Sequence, residues 1–170
     1  EQARKARRLL GEAKIWHYAV QLVDGLRYLH GRSIVHRDVK PANAFLTARG
    51  EVRIGDLNVS KIVKDDKGGL MKTQIGTPYY MAPEILKGHR YGHAVDWWAF
   101  GVLLYELVHG VTPFTGHKAR VIMESILKGP PDIAPGDSEE FAHSLSQLLE
   151  KKPEERAGFG TKGGLSLIHI

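Results

Sequence analysis

The sequence predicts a mainly α fold carrying one small β-hairpin, and three stretches predict it. From Glu12 the apolar residues Ile15, Ala19, Leu22, Leu26 and Leu29 recur at alternating steps of four and three, the spacing of one face of an amphipathic helix. Between Ala94 and His109 the apolar residues cover every side, which predicts a helix buried all round. AFL and VRI flank the polar segment TARG and read as two strands joined by a turn. With 170 residues and 42% apolar composition there is material for one compact core.

Taken in order, the first helix ends near His30 and Gly31 and delivers the chain to the loop His36 to Asn43, HRDVKPAN. The hairpin follows from Asn43 to Asp56. Those two positions lie symmetrically about a turn at Arg49 and Gly50, so they are expected side by side at its open end. The segment Lys61 to Thr77 is polar, contains glycine and lacks periodicity, and is expected to be a mobile loop. A membrane span is excluded for the helix after Ala94, because Asp96 and Glu106 bracket nine uncharged residues where roughly twenty are needed. Gly110 and Pro113 stop that helix. Further helices are expected over Lys118 to Leu127 and Glu139 to Leu149, joined by GPPDIAPGD. The final LSLIHI breaks the pattern and is also the translation of CTG TCT CTT ATA CAC ATC, a transposon end used in sequencing adaptors. Residues 165–170 are therefore expected to be a non-native tail.

The net charge of +5 is concentrated at the start, where Arg4, Lys5, Arg7 and Arg8 outweigh Glu1. No aromatic residues interleave with them, so they read as a solvated helix face and no nucleic-acid or membrane partner is expected. There is no cysteine. This excludes disulfides, a thiolate nucleophile and a cysteine-ligated zinc, and fits a reducing, cytoplasmic setting. The basic, polar beginning does not resemble a signal peptide.

The loop HRDVKPAN concentrates chemistry. Asp38 can orient a hydroxyl and take its proton, Lys40 can sit beside a migrating phosphoryl group, and Asn43 offers an amide oxygen. On its own the stretch also reads as a polar loop between a helix and a strand, since His, Asp and Asn are common turn formers. Asp56, expected beside Asn43 through the hairpin, adds a carboxylate. One amide and one carboxylate suit magnesium, which binds few protein ligands and completes its shell with phosphates and water.

Four motifs then arrive in order. HRDVKPAN resembles the catalytic loop of eukaryotic-type protein kinases, DLN stands where that family has DFG, GTPYYMAPE resembles the end of the activation segment, and DWWAFG resembles the start of the central helix. From about Gly11 to Arg156 the chain resembles the C-terminal, large lobe of the protein-kinase-like fold, with residues 1–164 as a partial kinase domain. Lys40 two places after Asp38, with Thr77 in GTP, is the serine/threonine pattern. The resemblance implies ATP and Mg2+ as cofactors. It makes Asp38 the base, groups Lys40, Asn43 and Thr77 with it in catalysis, and makes Asn43 and Asp56 the metal ligands. Lys40, Asn43, Phe45 and Asp56 would meet the nucleotide. Thr73 is placed like the family's phosphosite, where an upstream activating kinase would add charge for Arg37 and Lys61 to hold. Glu84 and Arg156 resemble a buried structural pair, Asp96 an acceptor for the catalytic-loop backbone, and His36 a packing residue.

NAFLT, GDLNVSK and GTPYY resemble NIMA-related kinases, whereas VDWWAFGVLLYE and ERAGFG resemble kinases related to the cyclic-nucleotide-dependent group. Asn58 replaces the glycine of DFG, a mild handicap since Asn tolerates left-handed backbone. No GxGxxG precedes Gly11, so the small lobe is expected to be missing and the piece alone to transfer no detectable phosphate. The expected partners are protein substrates with Ser or Thr acceptors. Two rival readings stand beside this one. A pseudokinase or scaffold is opposed by the retained Asp38, Lys40, Asn43 and Asp56, and a small-molecule kinase by the peptide platform that GTPYYMAPE resembles.

Overall fold

A computed structural model of the chain describes residues 10–62, 78–131 and 136–158. Helix α1, Glu12–His30, buries Ile15, Ala19, Leu22, Leu26 and Leu29, the stripe its periodicity marks. Glu12 in its first turn and Arg27 and His30 in its last complement the helix dipole. Strand β1, Ile34–Val35, leads into the loop, which closes in a 3-10 turn at Pro41–Asn43. Strands β2, Ala44–Leu46, and β3, Val52–Ile54, form the expected antiparallel hairpin. It lies against α1, where the Gln21 side-chain oxygen accepts the Val52 N–H at 2.8 Å.

The hairpin register differs by one residue from the symmetric expectation. Ala44 pairs with Ile54 and Leu46 with Val52, so the axis falls on Arg49 itself. The loop closes with the Thr47 N–H on the Glu51 carbonyl, leaving an odd three residues between them, with Gly50 at φ 78°. Asn43 therefore faces Gly55, and Asp56 lies one residue beyond. A second correction concerns Lys61. It opens no loop but pairs with Val35 in strand β4, Lys61–Ile62, antiparallel to β1. Two-residue strands carry no readable period. Residues 63–77, with Thr73 and Thr77, lie outside the described residues, as do residues 1–9 and the tail 165–170.

After a 3-10 turn at Pro78–Tyr80, α2 runs over Pro83–Leu86, α3 over Ala94–His109, α4 over Ala119–Lys128 and α5 over Glu139–Leu148. Thirteen of the sixteen residues of α3 are buried. That follows from its position between two apolar clusters. On one side Phe100, Leu103 and Leu104 pack with Leu22 and Leu26 of α1 and Phe141 and Leu145 of α5. On the other, Trp98 and Val102 meet Phe114, Ile122 and Ile126 under α4. Gly101 makes the α3–α5 approach possible, since a Cβ there would lie 2.8 Å from the Leu148 Cβ. Arg156 closes the far end with a two-pronged bond to Glu84, Nη1 to Oε1 at 2.7 Å and Nη2 to Oε2 at 3.0 Å, both residues buried.

Candidate functional site

The loop between β1 and β2 is held from beneath by α3. Asp96, fully buried, accepts the backbone N–H groups of His36 at 2.8 Å and Arg37 at 2.7 Å, and bonds the His30 ring at 2.8 Å. A carboxylate with three donors on it is a satisfied buried charge. It also fixes Arg37 at φ 71°, a conformation that ordinary side chains avoid.

His36, expected only to pack, does more. Its Nδ1 accepts the Asp38 N–H at 3.3 Å, which leaves Nε2 to carry the proton and donate to the Gly55 carbonyl at 2.9 Å. The ring thus ties the loop to the residue before Asp56. His30 had no role in the sequence reading beyond ending a helix, and nothing in its local pattern announced one.

Asp38, Lys40 and Asn43 converge on a single carboxylate oxygen. Lys40 Nζ lies 2.8 Å from Asp38 Oδ2, and Asn43 Nδ2 donates to the same oxygen at 2.8 Å and to the Asp38 carbonyl at 2.7 Å. Among the described residues Oδ1 of Asp38 carries no hydrogen bond, so it is the oxygen open to an incoming hydroxyl. With its nitrogen committed, Asn43 has its amide oxygen left for a cation.

Asp56 reaches this group through Gly55, whose N–H bonds the Asn43 carbonyl at 3.0 Å. Asp56 itself is left-handed, at φ 60° and ψ 73°, and exposed. The donor set is one carboxylate and one amide oxygen, hard ligands that fit a magnesium ion sharing its shell with phosphate oxygens. Phe45 presents a ring 54% exposed on β2, packed across Gly55, where any Cβ would approach it to 2.9 Å. Leu57, 49% exposed, adds apolar surface beside Asp56.

On the segment after residue 77, the Tyr80 hydroxyl donates to Glu106 of α3. Burial, and then this carboxylate, push the phenol above its ordinary range. Arg37 lies within the loop, directly before Asp38. Lys61 is paired through its backbone with Val35.

Residues 1–162 match the protein kinase domain family. The chain is 39% identical over 153 residues to the RAC-beta serine/threonine-protein kinase of Homo sapiens, covering 90% of this chain and 32% of that protein. It is 38% identical over 147 residues to Protein kinase C-like 1 of Caenorhabditis elegans, covering 86% and 21%. With the serine/threonine-protein kinase Sgk1 of Danio rerio it shares 36% over 148 residues, covering 87% and 34%. The chain thus spans about a fifth to a third of the length of these curated relatives.

Proposed function

The chain belongs to the protein kinase domain family, and we propose that it works as the acceptor- and metal-side part of a protein serine/threonine kinase. In this reading it moves the γ-phosphoryl of ATP to Ser or Thr hydroxyls of protein substrates. The observation that carries it is the meeting of Lys40 and Asn43 on one oxygen of Asp38, with the other oxygen open.

Asp38 Oδ1 would accept the hydrogen bond of the substrate hydroxyl and take its proton as the oxygen attacks phosphorus. Lys40, paired with Asp38 in the absence of substrate, would turn its charge to the transferring phosphoryl. Asn43 and Asp56 would hold Mg2+, which supplies positive charge to the phosphates. Phe45 would give the nucleotide an apolar face, and Thr77 would support the catalytic group. His36 and Asp96 touch no substrate; they hold the loop in place.

Thr73 is proposed as a phosphorylation site for an upstream kinase, with Arg37 and Lys61 near the phosphate. The features of VDWWAFGVLLYE, together with the RAC-beta, Protein kinase C-like 1 and Sgk1 relatives, favour a kinase akin to these over a NIMA-related one. We place the chain as the C-terminal lobe. Among the described residues no helix is long and apolar enough to cross a membrane. The test is phosphate transfer from labelled ATP to a Ser/Thr peptide library by the protein expressed in its natural reading frame. Transfer abolished by Asp38→Asn supports the reading, and transfer unaffected by that change overturns it.

A further inference from the structure

We infer that Asn58 is a positioning residue for Asp56, restricting the orientations open to the carboxylate proposed to hold a divalent cation. The inference rests on the reading that Asp56 is a metal ligand. Three restraints, made of four hydrogen bonds, act on Asp56 and its neighbours. From the chain before it, Gly55 is pinned by its N–H on Asn43 and its carbonyl on His36. From the chain after it, the Asn58 N–H donates to Asp56 Oδ1 at 3.4 Å. The third restraint is the short 3-10 turn Leu57–Val59, closed by the Ser60 N–H on the Leu57 carbonyl at 3.0 Å.

The conformations along this turn decide what residue 58 contributes. Asp56 occupies the left-handed region, an arrangement that persists only when its surroundings fix it. Asn58 is not among the residues with positive φ, so the turn does not require a glycine there. A glycine at 58 would let the turn reach many other conformations, and those that break its closure by Ser60 also release the chain that holds the Asn58 N–H against Oδ1. A side chain with a Cβ removes those alternatives, and Asn does so while staying exposed to solvent. The change from the DFG pattern therefore stiffens the carboxylate's support.

The role belongs to backbone restriction and not to the amide group, and that separates it from a direct ligand. The experiment compares Mn2+ binding, read from the paramagnetic resonance signal of free ion, in the 170-residue chain and in Asn58→Gly, Asn58→Ala and Asp56→Asn. Asn58→Gly should bind Mn2+ about fivefold more weakly, while Asn58→Ala stays within about twofold of the parent. Without metal, amide hydrogen exchange over residues 56–60 should be faster in Asn58→Gly than in the parent and Asn58→Ala. Equal exchange and affinity in the parent and Asn58→Gly overturn the inference. So does an Asn58→Ala as weak as Asn58→Gly, which assigns the effect to the amide. If Asp56→Asn binds Mn2+ as well as the parent, it is the metal-ligand reading that falls, and the exchange comparison still decides the role of Asn58.

Discussion

Asp96 of α3 accepts the backbone N–H of Arg37 at 2.7 Å, across 59 residues of sequence, and so sets the conformation of the residue next to Asp38. The carboxylate is fully buried and has two further donors, the His36 N–H and the His30 ring. Asp96→Asn keeps the shape but turns an NH2 toward groups that donate. The expected loss is about 3 kcal/mol of stability, because buried donors lose a charged acceptor. Urea unfolding of the parent and the variant measures it, and a loss below about 1 kcal/mol would contradict the role given to Asp96.

The Glu84–Arg156 pair gives a sharper energetic signature. Arg156 also donates from Nη1 to the Ala94 carbonyl and from Nε to the Glu150 carbonyl, so it fastens α2, α3 and the segment after α5 together. Removing either partner alone leaves a buried charge, at a cost of about 3 to 5 kcal/mol. The double variant Glu84→Met with Arg156→Met should lose markedly less than the two single losses combined. Additive losses in denaturant titrations would contradict a coupled pair.

Lys151 makes stability depend on pH. Its Nζ donates to the Ile126 carbonyl at the end of α4, 4.1 Å from the Phe114 ring centroid and 4.9 Å from that of Trp98. Burial, opposed by Glu150 and aided by Arg156 and Lys87, pushes it down from 10.5 to about 8. Between those values the unfolded chain binds more protons than the folded one, so this group makes stability rise with pH there. Below about 8 its penalty is present in full. The side chain keeps partial contact with solvent, which keeps the effect small. Denaturation midpoints from pH 7.5 to 10 should climb less in Lys151→Met than in the parent, and parallel curves would contradict the assignment.

The helices were legible because their apolar residues repeat at helical spacing over many turns, as in Ile15 to Leu29 and across Ala94 to His109. The hairpin was legible from AFL, TARG and VRI. Its register was not, because an odd loop and an even loop differ by one residue that composition does not mark. The β1–β4 pairing escaped for a related reason, as two residues on each side supply no period. Asp38, Lys40, Asn43 and Asp56 were recognisable as a group of chemical types. The bonds of His30 and His36 depend on contacts with Asp96 and Gly55, made across 66 and 19 residues, and local sequence does not encode them.

Catalysis supplies the next expectation. A positioned base contributes about 10² to 10⁴ in rate, so Asp38→Asn should reduce phosphate transfer by the natural reading frame within that range. Lys40→Met should also lower the rate, while nucleotide binding measured by equilibrium dialysis falls less. A rate unchanged by either substitution would contradict the roles proposed for this pair.

The most direct measurement of the site is anomalous diffraction from crystals of the chain grown with Mn2+ and a non-hydrolysable ATP analogue. The account predicts a metal peak about 2.1 Å from both an Asp56 carboxylate oxygen and the Asn43 amide oxygen, with phosphate oxygens completing the shell. A metal that binds the nucleotide while touching neither residue would contradict it.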